Sequence, residues 1–295
     1  MKIHGVTQIV LSGGSAFGLD CAGGVMRYLS ERNIGFPTDV IHVPIVCQAV
    51  LFDLQMLDTV QPLPNYGQMG YEACCAAEIV NSNGGNVLEG NVGAGTGAVI
   101  GKMMGKERAM KGGLGTFAIR VGNLRVGCVV AVNCFGDVYE KGRLIAGCLN
   151  EQQHKPSNEQ HNKPSSNEPN DNTLFADSEL LLIQQYLTTH QDCNVFNNCC
   201  SNTTIAIVVT NARFDKTQLN RIATMAHDGY ARSMKPSHTL YDGDTIFVVS
   251  TEEMQEEVVP VNLVGTLAAR VVEEAVVRGV KRAETVKGYK AFKDL

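Results

Sequence analysis

Asn202-Thr203-Thr204-Ile205-Ala206-Ile207-Val208-Val209 is the stretch from which the fold can be read. From Thr204 to Val209 both alternating faces are apolar, which predicts a central strand in a sheet covered on both sides. The preceding Asn194–Asn202 is polar, so a hydroxyl residue opens a buried strand straight after a polar loop. Downstream, Lys216–Ser233 reads as a helix with Leu219, Ile222, Ala223, Ala226 and Tyr230 on one side. Asp242-Gly243-Asp244 reads as a turn, Thr245–Val249 as a strand, and Val261–Arg282 as a long helix.

Upstream, Phe117–Val121 and Val126–Val132 are short apolar runs with strand character. Val6–Leu11 reads as a strand that ends in Ser12-Gly13-Gly14. A helix from about Ala16 to Arg32 follows it, with Ser15 placed to cap the free amides. Tyr71–Val80 and Ser178–Thr189 are further helices. Asn150–Asn172 is almost wholly polar and has nothing to bury, which predicts a mobile surface excursion. Strands and helices come in clusters, not in strict alternation, so the expectation is stacked sheet and helix layers in one domain over residues 1–295.

Composition narrows the function. Lys and Arg total 25 against 30 Asp and Glu, a net charge of −5, and no dense basic block occurs. Nucleic acid and anionic membranes are therefore excluded as partners. No segment approaches the ~18 apolar residues of a membrane span, and Val6–Leu11 is too short and polar for a signal-peptide core. The ten cysteines are expected to be reduced thiols in a cytoplasmic protein. His190, Cys193, Cys199 and Cys200 lie close in sequence but lack zinc spacing, so no metal is expected.

Gly93-Ala94-Gly95-Thr96-Gly97-Ala98 fits the loose dinucleotide fingerprint. The loop Gly84–Asn91 stands where a strand should precede it, and Lys106–Gly115 offers only Glu107 as the downstream acid. A structural loop is the better reading. A phosphate-binding loop ending at Gly101-Lys102 fails because Thr96 stands where its first Gly is required and Met103 replaces the hydroxyl residue. Gly14-Ser15-Ala16-Phe17-Gly18 is not a nucleophile elbow, since Ala16 stands at the Ser position.

Six ordered blocks carry a resemblance. They are Leu11-Ser12-Gly13-Gly14-Ser15-Ala16-Phe17-Gly18-Leu19-Asp20; Leu51-Phe52-Asp53-Leu54; Gly90–Ala98 with Gly101-Lys102; Val130-Ala131-Val132-Asn133; Asn202-Thr203-Thr204-Ile205; and Ala226-His227-Asp228-Gly229 through Asp242-Gly243-Asp244-Thr245-Ile246-Phe247. Together they resemble the L-aminopeptidase/D-esterase family, also called the β-aminopeptidase or DmpA-like family.

The resemblance implies an α/β (α+β) fold, a four-layer αββα sandwich like that of the N-terminal nucleophile hydrolases. It further implies a single inactive chain that cuts itself between Asn202 and Thr203 into residues 1–202 and 203–295. Thr204 is the adjacent alternative. The freed α-amine of Thr203, with an ordinary pKa near ~8, would serve as base for the Thr203 hydroxyl. By resemblance Asp242 and Asp244 orient that amine, Asn133 stabilises the oxyanion, and Lys102 is an active-site lysine. The substrate would be a small peptide, amide or ester, no cofactor is needed, and the assembly would be a homo-oligomer.

β-Aminopeptidase members tend to carry Ser and Glu where Asp242 and Asp244 stand, so the Asp pair looks more like the branch that cuts synthetic amide oligomers. Family chains also carry several tens of residues before the Ser-Gly-Gly-Ser block, against about ten here. That difference predicts an incomplete sheet edge, and with it the alternative of an inactive binding or structural relic.

Overall fold

A computed structural model describes residues 5–57, 62–150, 174–189, 202–254 and 257–295. The first half contains β1 (Gln8–Ser12), α1 (Asp20–Ser30), β2 (Phe36–Pro37), β3 (His42–Val43), β4 (Val46–Val50) and α2 (Tyr66–Ser82). Next come β5 (Val99–Ile100), β6 (Met110–Lys111), β7 (Gly113–Val121), β8 (Leu124–Val132), β9 (Asp137–Glu140) and β10 (Arg143–Ala146). The last part holds α3 (Ser178–Thr189), β11 (Ile205–Ala212), α4 (Lys216–Ser233), β12 (Met234–Lys235), β13 (Thr245–Met254) and α5 (Val261–Arg282).

The main sheet runs β13-β11-β8-β7. β11 pairs parallel with β13 and antiparallel with β8. One face carries α4 and α5, which pack on each other and on the sheet. Val126, Cys128, Val130, Ala206 and Val208 point into this layer and are fully or almost fully buried with Ile222, Val264, Val271 and Val276. On the opposite face lies the parallel pair β1-β4, backed by α1 and α2. Leu11, Ala49 and Leu51 from that side meet Ala131 and Ile205 between the sheets. The order helix, sheet, sheet, helix is the expected four-layer sandwich, with a second sheet only two strands wide.

That narrow second sheet modifies one expectation. Val208 on the helix side of β11 is fully buried, yet Val209 on the other side is 36% exposed, because β1-β4 covers only the end of β11 near Ile205. The start of the first helix also differs. Ser15 makes no capping bond; Gly14 occupies the cap position of a 3-10 turn, Ser15–Leu19, and α1 begins only at Asp20. Asp53 does the work instead, accepting the Gly14 N–H at 2.6 Å. The α4 start follows the expected logic of a capping box, with Asp215 and Gln218 exchanging side-chain and backbone bonds.

Several features fall outside the described residues: nearly all of the polar tract 150–172, and His190, Cys193, Cys199 and Cys200. Among the described residues no helix is long and apolar enough to cross a membrane.

Candidate active site

Strand register alone brings the expected residues together. Ile205 stands opposite Ala131 in β8 and beside Thr245 in β13. Continued two residues beyond the strand end, the same register sets Thr203 between Asn133 and Gly243. The hydrogen bonds agree: the Thr203 N–H donates to the Asn133 carbonyl at 3.3 Å, and the Gly243 N–H donates to the Asn202 carbonyl at 2.7 Å. Asn202 and Thr204 are fully buried and Thr203 nearly so. Alternation then separates the two threonines, Thr204 toward the helices with Ala206 and Val208, Thr203 toward the inter-sheet layer with Ile205.

Thr204 is fully committed. Its hydroxyl donates to Met234 Sδ at 3.6 Å and accepts the Asn133 N–H at 3.4 Å, while its own N–H donates to Asp244 Oδ1 at 2.8 Å. Thr203 faces the turn at Gly243, where a Cβ would lie 2.7 Å from the Thr203 Oγ1. Only glycine lets the turn approach the hydroxyl that closely.

Both aspartates are anchored. Asp242 Oδ2 accepts from the Thr239 N–H at 2.9 Å and its hydroxyl at 2.6 Å. Burial pushes the Asp242 carboxyl above its ordinary value and the neighbouring Asp244 charge adds to this, against the bonds from Thr239 and the pull of Lys102. Asp244 spans Thr204 on one oxygen and His238 Nδ1, at 3.2 Å, on the other. Burial holds the adjacent Cys134 thiol well above its ordinary value, so it stays neutral.

Lys102 and Asn133 join the site through the backbone. Lys102 Nζ donates at 3.0 Å to the Asn133 carbonyl that also receives the Thr203 N–H. The Asn133 side-chain amide, expected at the oxyanion, donates to the Phe52 carbonyl at 3.0 Å and accepts the Val99 N–H at 2.9 Å. It ties β8 to the loop after β4 and to β5. Gly93–Gly95 forms a 3-10 turn. The buried Lys111 fixes that loop by donating to the carbonyls of Gly95, Ala98 and Gly112 at 2.8, 2.8 and 2.9 Å. The glycine-rich segment is thus a structural loop against the site.

Sequence reading missed the Gly243 N–H and His238. A main-chain donor leaves no trace in residue type, and His238 stands in no recognisable spacing.

A model of peptidase family S58 matches residues 2–293. The chain belongs to peptidase family S58. Among curated members, it is 32% identical over 311 residues to an uncharacterized aminopeptidase of Mycobacterium tuberculosis, spanning 100% of this chain and 79% of that one. It is 27% identical over 285 residues to the 6-aminohexanoate-oligomer endohydrolase of Kocuria sp., spanning 92% and 71%. As an S58 member it is a hydrolase of peptide or amide bonds. Among solved structures it matches the PH0078 protein of Pyrococcus horikoshii at TM-score 0.52 and 20% identity, over 96% of this chain and 67% of that one. It also matches the L-aminopeptidase D-Ala-esterase/amidase of Ochrobactrum anthropi, described as a variant of the Ntn hydrolase fold, at TM-score 0.50 and 19% identity, over 92% and 67%. These two likenesses establish the fold.

Proposed function

We propose that the chain is a self-processing amide hydrolase, acting as an aminopeptidase on short peptides, amides or esters, with Thr203 as nucleophile. The observation that carries this reading is the junction itself: a carbonyl held at 2.7 Å by the Gly243 N–H, followed by a threonine pressed against the same glycine. In the uncut chain the Thr203 Oγ attacks the Asn202 carbonyl carbon. The Gly243 N–H receives the developing oxyanion, a role for which one donor contributes about 3 kcal/mol. The C–N bond breaks, its nitrogen leaves as the Thr203 amine, and water hydrolyses the resulting ester to an Asn202 carboxylate and a free hydroxyl. Two chains result, residues 1–202 and 203–295, folded as one domain.

The new amine then takes the Thr203 hydroxyl proton during attack on substrate. The Asn133 carbonyl holds it in place, Lys102 favours its neutral form, and Asp242 and Asp244 balance that charge. Asn133 thus serves the nucleophile through its backbone carbonyl, while its side-chain amide holds Phe52 and Val99. No cofactor enters the scheme. The working unit is a homo-oligomer.

A second reading, an endo-acting hydrolase of amide oligomers, is favoured by the Asp pair and by the 27% identity to the 6-aminohexanoate-oligomer endohydrolase. Product analysis decides between them. With an alanine p-nitroanilide and 6-aminohexanoate oligomers as probes, an aminopeptidase releases single N-terminal units and an endohydrolase releases mid-length fragments. Failure of Thr203→Ala to abolish turnover would remove Thr203 from either scheme.

A further inference from the structure

We propose that His238 is a positioning residue for the nucleophile, holding Asp244 against the backbone that carries Thr203 and presenting a cation toward the amine from the solvent side. The inference rests on the reading of Thr203 as the nucleophile. Asp244 is a two-ended clamp: Oδ1 accepts the Thr204 N–H at 2.8 Å and Oδ2 lies 3.2 Å from His238 Nδ1. The Asp244 side chain is 3% exposed and that of His238 is 38% exposed. A proton from solvent therefore reaches the imidazole first, next to a buried carboxylate, one residue from the nucleophile.

The ring is held in place by α4. It packs edge-on against the His227 ring at 4.8 Å and lies 6.0 Å from the ring of the fully buried Tyr230. The titratable groups around it are Asp242 and Asp244 from the turn and, from α4, His227 with its neighbour Asp228 and Tyr230. Of the two edge-on imidazoles, His238 is the one whose surroundings favour the protonated form. Its bond to Asp244 raises its pKa, whereas burial and then the His238 charge lower that of His227.

The sign of the effect follows. A protonated His238 offsets the Asp244 charge, so less negative potential stabilises the protonated form of the Thr203 amine. The amine reaches its free-base form at lower pH. Removing the charge while keeping the hydrogen bond moves the acid limb of kcat/KM to higher pH, by about half a unit.

The experiment compares wild type, His238→Asn, His238→Ala and Thr203→Ala on an alanine p-nitroanilide across pH 5–9, with intact mass reporting self-cleavage. His238→Asn, whose amide can reach Asp244 but carries no charge, is expected to keep most of the plateau rate and shift the acid limb upward, while His238→Ala also loses plateau rate. Coincident acid limbs for wild type and His238→Asn would overturn the inference. Histidine NMR on the uncut Thr203→Ala chain provides a readout independent of turnover. There Asp244→Asn should lower the His238 titration, and an unmoved titration would overturn the clamp. A Thr203→Ala chain that still cuts itself would instead overturn the nucleophile reading, leaving the measured His238–Asp244 coupling intact.

Discussion

Along the middle of β8 and β11 the side chains facing α4 and α5 are Val126, Cys128, Val130, Ala206 and Val208, all apolar and shut away from water. Just past the ends of the same two strands stand Asn133, Asn202, Thr203 and Thr204, as deeply buried but polar. The apolar stretch fixes the register, because a one-residue slip would turn its side chains to the wrong face. Register then carries the polar end into place. On the proposed reading, stability and chemistry occupy different lengths of the same strands, and substitutions can separate them.

The largest effect is expected at the polar end. Thr203→Ala should abolish self-cleavage outright and leave the melting temperature close to that of the uncut wild type. Thr204→Ala, one residue on, should still cut at 202/203, more slowly. Incubation followed by denaturing gel electrophoresis reads both, and equal behaviour of the two variants would break the assignment by strand face. Gly243→Ala comes next. Its methyl would meet the Thr203 Oγ1 at 2.7 Å, and displacement of the turn should slow processing about 100-fold.

In the apolar stretch the expected pattern reverses. Ile222→Ala, at a fully buried position of α4, should lower stability by about 3 kcal/mol in urea denaturation. The folded fraction should process at the wild-type rate. The smallest effect concerns buried polarity away from the nucleophile. Asp137 accepts the Cys148 and Ser178 N–H groups at 2.7 and 2.9 Å, and burial pushes its carboxyl up to about 6. Its folded pKa exceeds the unfolded one, so its contribution to stability is full below the ordinary carboxylate range and is lost as pH rises through about 6. Melting curves of Asp137→Asn and wild type should therefore diverge in the variant's favour between pH 4 and pH 7, with processing unchanged.

The elements with a clear period were legible in the sequence: α4 and α5 run over the expected residues, and β11 and β13 start within one residue of expectation. The shortfalls cluster at glycine. Tyr71–Val80 reads as the helix, yet α2 begins at Tyr66 and takes in Gly67 and Gly70. A Cβ on Gly70 would lie 2.1 Å from the Cys21 carbonyl of α1, so the glycine serves helix contact. Gly113 and Gly115 likewise open β7, and a Cβ at Gly115 would lie 2.0 Å from the Ala275 carbonyl of α5. Sequence cannot tell a glycine that turns the chain from one that admits a neighbour.

At the site, residue types were legible and partners were not. Thr203, Asn133, Lys102, Asp242 and Asp244 converge, but Asn133 and Lys102 meet through a main-chain carbonyl. The Gly243 donor depends on a register set by long-range strand pairing.

Self-cleavage at the Asn202–Thr203 bond is the claim on which the rest depends, and intact mass spectrometry of the purified chain under denaturing conditions tests it most directly. Two species, one ending at Asn202 and one beginning at Thr203, are predicted. A single full-length mass after prolonged incubation would contradict it.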